Sequence, residues 1–439
     1  MQQMGDGQLL ISTGKNRQFL QQLSWAAFGQ IATAVGLLVG IRLMTEYVPP
    51  STYGNVTFLM SLTTFAYSLF SVPLFQAALR LYPNVQISGE EELLRFTVLE
   101  LAKKAMVYTS VLIIMGGAAF GSLTGNPRWF GLLLSAILVV DVLKMLETGL
   151  LNAARKQREF AFWNISETWG RPVCAIILIN HFQASAGMII FGYFCASALV
   201  FLYFRPKGRP TKGEASMGDM ERQRHRVLVK DIYQYALPLV PSALVSGVNS
   251  LSDRYIIGGA LGFEQLGIYA AASSLMIRPF IIACGVIEQS VRPIYFDSVA
   301  SESSDSKFIL RKWILFASGI CVSGILLVVG LRHQIVNLVL APKYRSIVDL
   351  LPWLALGYAC YSISFIYENV LYAYKKTVVI FKINTFMSVI TVFTTLIMIY
   401  TFGLLGAAMS VVLLNILKLI LLRFCSLKTL NQSRNSIKV

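Results

Sequence analysis

The chain has 439 residues, 55% of them apolar and only 14% charged, with a mean hydropathy of +0.62. Soluble domains carry about 25% charged residues, so this composition excludes a soluble enzyme and indicates an integral membrane protein. The formal charge of +16, from 38 Lys and Arg against 22 Asp and Glu, does not argue for nucleic acid, because the cations cluster between apolar runs as in the cytoplasmic loops of membrane proteins.

From the N-terminus, a polar stretch Met1 to Gln22 leads into an apolar run with no small-residue cleavage pattern, which is read as a retained span and not a removable signal. Apolar segments recur at about 23–45, 56–79, 104–124, 130–152, 160–181, 185–204, 233–258, 266–296, 311–331, 347–373, 378–401 and 404–425, giving twelve spans. Connections such as Pro49-Pro50, Gly125-Asn126-Pro127-Arg128, Arg155-Lys156 and Lys375-Lys376 carry turn or charge signals. Because Lys and Arg resist translocation, the even-numbered connections place Arg80, Arg95, Arg155, Lys156, Arg158, Lys307, Arg311, Lys375 and Lys376 inside, with Lys15, Arg17, Arg434 and Lys438 at two cytoplasmic termini. Arg332, Lys343 and Arg345 oppose this orientation and are assigned to a short amphipathic outer segment.

The most basic connection, 205–230, reads as a cytoplasmic linker between an N-terminal bundle, 1–204, and a C-terminal bundle, 231–439. The two sides resemble each other. Arg42-Leu43 followed by Tyr53-Gly54 matches Asp253-Arg254 followed by Leu266-Gly267, at an offset of about 212 residues with spacings that differ by one; Leu151 to Lys156 matches Leu371 to Lys376 in the pattern L-x-A-x-[RK]-K, at an offset of 220. Six spans per copy make the repeat parallel. The expected fold is all-α, with about twelve transmembrane helices in two six-helix bundles around a central cavity.

Charges inside apolar spans cost roughly 2.5 to 3.5 kcal/mol on insertion scales and therefore face the interior or a wet path. Asp141, Lys144 and Glu147 stand at i, i+3 and i+6 in span four, and Glu167 and Arg171 at i and i+4 in span five. They read either as a structural network, with Arg171 against Asp141 or Glu147, or as part of a cationic surface for an acidic headgroup. Arg278 is near mid-depth in span eight. It reads either as an anion site with Lys144 and Arg171, or as the buried partner of Glu288 or Glu368. Arg42, Asp253 and Arg254 lie where side chains snorkel outward, and Arg80 and Arg292 are at the inner boundary, as anchors or as contacts to a lipid phosphate. Pro238, Pro241 and Pro279 predict kinks; Tyr235, Tyr269, Tyr361, Phe365 and Tyr367 read as packing aromatics able to stack on sugar rings.

Catalytic signals are poor. The three histidines His181, His225 and His333 are read in separate loops, the six cysteines lie in or beside apolar runs without C-x-x-C spacing, and no nucleophile elbow, phosphate-binding glycine loop or H-E-x-x-H occurs. No enzyme activity, metal or cofactor is expected.

Ile41-Arg42-Leu43 through Thr52-Tyr53-Gly54-Asn55 and Ala77 to Tyr82 resembles the N-terminal signature of polysaccharide-biosynthesis membrane proteins. Tyr235 to Pro241, Ser252 to Gly258 and Leu266 to Ala272 are similar to the second-half signature of the same group. The resemblance is to the Wzx-type oligosaccharide flippases of the MOP transporter superfamily. It implies movement of a polyprenyl-pyrophosphate-linked oligosaccharide, an O-antigen, capsule or exopolysaccharide repeat unit, from the inner to the outer leaflet of a bacterial plasma membrane by alternating access. Implied partners are that lipid-linked glycan, membrane lipids, a polysaccharide polymerase and glycosyltransferases, and not nucleic acid. Arg278, Arg171, Lys144, Arg42, Arg254, Arg80 and Arg292 are the expected substrate contacts, and Asp141, Glu167, Glu288 and Glu368 the expected ion-coupling acids. The competing readings are a peptidoglycan-precursor flippase, disfavoured by twelve spans, a cation-coupled drug exporter, and a membrane polymerase or acyltransferase. A major-facilitator transporter is disfavoured because Leu81 to Leu93 lacks the basic G-x-x-x-D-[RK] pattern.

Overall fold

The computed structural model describes residues 3–124, 129–182, 184–205, 218–301 and 305–436. The turn Gly125 to Arg128, the linker cations Lys207, Arg209 and Lys212, the terminal Lys438, and the side chains of Lys15, Arg17 and Arg434 lie outside the described residues. A chain this apolar must satisfy its backbone internally, which leaves helices or a closed barrel. Here every long element is a helix, and no strand occurs among the described residues.

The helices are α1 (Gln3–Tyr47), α2 (Pro50–Ser88), α3 (Glu91–Thr124), α4 (Phe130–Ala153), α5 (Gln157–His181), α6 (Ala186–Phe204), α7 (Asp219–Ala236), α8 (Val240–Ala260), α9 (Phe263–Ala300), α10 (Ser306–Val339), α11 (Leu351–Ala373) and α12 (Thr377–Ser436). α12 is two legs joined at Gly403, whose φ of 59° and ψ of −137° break the helix. Its legs are the last two expected spans, and α7 is an additional polar helix, so the twelve apolar segments are all present as helix. Six of the described segments, in α1, α2, α6, α9, α10 and α12, are long and apolar enough to cross a bilayer on those grounds alone. α4 is not among them, since any 18-residue window in it includes Asp141, Lys144 and Glu147.

The chain forms two compact units, Met1–Gly40 with Leu62–Ala243, and Ile41–Ser61 with Leu244–Val439. In the first, α3 packs on α4 and α7, and α6 on α4 and α5, around Leu134, Ile137 and the fully buried Trp163. In the second, α11 packs on α9, α10 and α12, around Tyr269, Tyr295 and Leu354. Large apolar side chains left outside, such as Leu315 and Leu326 on α10, suit contact with lipid.

Part of the expected linker is ordered helix. α7 sets His225, Leu228, Ile232 and Ala236 inward and is tied to the α2–α3 turn by Arg224 Nε to Glu90 at 2.9 Å. The sequence hid this because Arg222, Arg224, Arg226 and Lys230 dominate its composition, while the apolar positions fall at i, i+4, i+8 on one face. Pro238, which cannot donate to a helix, lies in the 3-10 turn Leu237–Leu239 between α7 and α8; Pro279 lies inside a continuous α9. The histidines are not in loops: His181 ends α5, His225 is buried in α7 and His333 is inside α10. Lys343 and Arg345 belong to the 3-10 turn Pro342–Ile347, anchored by the buried Tyr344 and Ile347.

Both sequence repeats carry matching geometry. Arg155 and Lys375 each have φ of 57°. In both turns the following residue bonds back five positions, Lys156 to Leu151 at 2.9 Å and Lys376 to Leu371 at 2.8 Å, which is a Schellman closure built without glycine. The Tyr-Gly and Leu-Gly signatures meet inside the second unit. A Cβ on Gly54 would stand 1.7 Å from the carbonyl oxygen of Phe263, and one on Gly267 would stand 1.9 Å from that of Pro50. Only glycines allow this backbone crossing of α2 and α9.

Candidate functional site

In the first unit the charges of α4 and α5 close on one another. Arg171 Nη2 lies 2.5 Å from Asp141 Oδ1 and 2.7 Å from Glu167 Oε1; Lys144 Nζ lies 2.8 Å from the same Glu167 oxygen and 3.6 Å from Asp141. Arg171 Nε also donates to Ser197 of α6 at 2.9 Å. Two cations and two anions thus cancel beside a pocket of about 150 Å³ lined by Thr63, Tyr67 and Thr148. Glu147 is not part of this group and accepts instead from Arg95 of α3. Arg80 lies with its guanidinium 4.5 Å above the ring of Tyr235, a cation–π contact.

In the second unit the expected site residues separate into paired and unpaired groups. Arg42 is held by Glu46 at 3.0 Å and donates to the carbonyl of Leu340 at 2.5 Å. Arg292 lies 3.7 Å from Glu288, which also accepts from Asn369 at 3.0 Å. The buried Glu368 has Lys418 at 3.7 Å and the Tyr372 hydroxyl at 3.4 Å. Arg278 pairs with neither Glu288 nor Glu368. Its side chain and that of Arg254 make no hydrogen bond or ion pair among the described residues. Arg254 gives only its backbone N–H, to Asp253 Oδ1 at 2.8 Å, while the Tyr269 hydroxyl donates to Asp253 Oδ2 at 2.9 Å. All four acids proposed for ion coupling therefore have a resident cation within 4 Å, and Arg254 and Arg278 have no such counter-charge.

Sequence reasoning singled out Asp253, Tyr361, Phe365 and Glu368 in the second unit but passed over Lys418 and the asparagines beside them. A cavity of about 320 Å³ is lined by α8, α9, α11 and both legs of α12, with Asn249, Asp253, Tyr361, Glu368, Asn384 and Lys418 on its walls. Lys418 lies in the last apolar run, 404–425, and the depth argument that selected Arg278 applies to it equally. The asparagines were harder to find, because one amide per helix barely lowers the hydropathy of a span.

Two groups outside the spans show how the rims are set. The Arg224 hydrogen bond holds the Glu90 carboxyl below its ordinary value. Burial pulls the Lys343 ammonium down, partly offset by Glu46, whose backbone carbonyl accepts from Lys343 Nζ at 2.8 Å.

No protein-family model matches the chain, and no curated protein matches it. Among solved structures it is similar to the lipid II flippase MurJ in an inward closed conformation, at 16% identity over 92% of this chain and 87% of that one, with a TM-score of 0.68. It is also similar to an outward-facing multidrug-resistance MATE transporter of the MOP superfamily, at 13% identity over 93% and 96% of the two chains, with a TM-score of 0.61. A mutant of the Vibrio cholerae MATE transporter VcmN aligns at 12% identity over 95% and 97%, with a TM-score of 0.57. The chain is a multi-pass membrane protein with the all-helical fold of MOP-superfamily transporters.

Proposed function

We propose that the protein is a flippase that carries a polyprenyl-pyrophosphate-linked oligosaccharide from the cytoplasmic to the outer leaflet of a bacterial plasma membrane, with both termini in the cytoplasm. The observation that carries this reading is a pair of guanidiniums, Arg254 and Arg278, with no carboxylate within ion-pair distance among the described residues. Arg278 is near mid-depth in a span, is exposed on its unit and has no counter-charge. Hydrocarbon is a costly surrounding for such a group, so it requires a hydrated path, and an anion passing along that path gains what the protein withholds. Pyrophosphate suits it, since arginine offers a planar fork of donors to phosphate oxygens. A glycan headgroup cannot cross hydrocarbon unaided, while its polyprenyl tail can stay in lipid.

The wet path supplies the polar surroundings, and alternating access exposes it to one leaflet and then the other. The similarity to MurJ, a lipid II flippase, supports a lipid-linked substrate. The carboxylates at 141, 167, 288 and 368 serve coupling in this reading only by exchanging a proton or ion against cations already in place. A polymerase and glycosyltransferases would supply and consume the substrate. The MATE neighbours favour a second reading, drug export. A cationic drug would meet two unpaired arginines, which argues for the anionic cargo. The test is deletion followed by a leaflet-resolved assay of lipid-linked oligosaccharide: glycan confined to the inner leaflet is expected, and normal outer-leaflet appearance overturns the proposal.

A further inference from the structure

The 320 Å³ cavity of the second unit is at the lower end of small-molecule sites, which span about 300–1,000 Å³. Its walls are unusual for a membrane bundle, where interhelical polar groups are few and costly to leave unsatisfied. Asn249 donates to the backbone carbonyl of Asn384 at 3.1 Å and accepts from Thr391 at 3.4 Å. Ser252 Oγ is buried without a hydrogen-bond partner, although Ser252 lines the cavity. On one side Tyr361 and Phe365 stand edge to face, with ring centroids 4.9 Å apart. The Lys418 ammonium lies 5.5 Å and 5.8 Å from those two rings and 3.7 Å from Glu368.

The chemistry of this lining narrows the ligand. A phosphate needs surplus positive charge, and here Lys418 is offset by Glu368. A tightly bound metal needs a cluster of acids or histidines, and no group of three such residues capable of holding one occurs among the described residues. An apolar compound would leave the Ser252 hydroxyl unpaired, at a cost of about 1–3 kcal/mol. A polyhydroxylated ring meets every feature. Its hydroxyls both donate and accept, as amides and serines require, and its C–H face can lie on an aromatic ring.

We propose that this cavity is a sugar subsite, binding one neutral pyranose ring through Asn249, Asn384 and Ser252 with Tyr361 as the stacking face. The site deepens the flippase reading, on which its biological meaning rests: the arginines take the pyrophosphate and this cavity takes a residue of the glycan.

The test uses purified full-length protein in lipid nanodiscs and measures its melting temperature against glucose, galactose and N-acetylglucosamine, with sodium chloride and inorganic pyrophosphate as comparators. At least one sugar raises the melting temperature saturably. Asn384→Leu and, as a milder change at Ser250, which also lines the cavity, Ser250→Leu weaken that sugar by about tenfold or more. No shift with any of the three sugars, an equal shift in both variants, or stabilisation by sodium in place of sugar overturns the subsite. Should Asn384→Leu fail to purify as a monodisperse protein, Ser250→Leu decides alone. Because the probes are free sugars and no flipping is measured, failure of the subsite and failure of the flippase reading are separate results.

Discussion

The two units place charge in their apolar helices in opposite ways. In the first, Asp141, Lys144, Glu167 and Arg171 form a closed square whose charges sum to zero. In the second, no carboxylate lies within 4 Å of the guanidinium of Arg254 or Arg278 among the described residues, although Asp253 is the chain neighbour of Arg254. The same residue type thus performs different work: Arg171 neutralises carboxylates and holds helices together, whereas Arg254 and Arg278 make no ion pair among the described residues. A charge inside a membrane protein is informative about cargo only after its partners are known.

The largest expected effect comes from breaking the square. Arg171→Leu leaves two carboxylates facing one lysine and should cost about 2–3 kcal/mol of stability, below the ~3–5 kcal/mol of a fully buried pair because the cluster keeps some exposure. Equilibrium unfolding in mixed micelles checks this, and an unchanged midpoint would show the square to be ornamental. The corresponding change in the second unit, Arg278→Gln, should leave the midpoint within about 0.5 kcal/mol. If both variants shift alike, the contrast between the units is lost.

A steric change of nearly equal size tests the frame under Arg254. Gly267→Ala puts a methyl against the Pro50 carbonyl and should cost about 1–3 kcal/mol. Tyr269, two residues on, holds Asp253 beside Arg254, so flipping should fall further than stability alone explains, when rates are normalised to folded protein.

Acidification gives a smaller effect at the rim of the first unit. The Glu90 carboxyl is held low by Arg224, so its stabilisation is present above the ordinary glutamate value, about 4.3. It is lost as pH falls through the depressed folded value. A spin label on α7 should gain mobility only in that acid window and lose the pH response in Glu90→Gln. Mobility changing near neutrality would rule out this pair as the cause.

The smallest effect is one the units share. Arg155→Gly and Lys375→Gly relieve the left-handed strain of equivalent turns, each raising stability by about 1 kcal/mol. Unequal gains would mean that the repeated geometry hides different local packing.

The spans were legible because apolar runs of about 20 residues have one common solution in lipid, and the duplication was legible because turn chemistry recurred at Arg155 and Lys375. The pairing of Arg171 with Asp141 was readable as one of two options from helical spacing alone. That Glu147 turns instead to Arg95 was not readable, since it depends on which face of α4 meets α3. α7 was hidden by its basic composition. The lack of partners at Arg278 is a fact about distances to Glu288 and Glu368, and no one-dimensional pattern contains it.

The most direct test of the central claim reconstitutes purified wild type and the double variant Arg254→Gln, Arg278→Gln into liposomes with a polyprenyl-pyrophosphate-linked oligosaccharide, and follows its arrival in the opposite leaflet. The account predicts that the double variant, folded and inserted as the wild type is, loses flipping by at least about tenfold, the equivalent of about 1.4 kcal/mol. Wild-type flipping by that variant would contradict it.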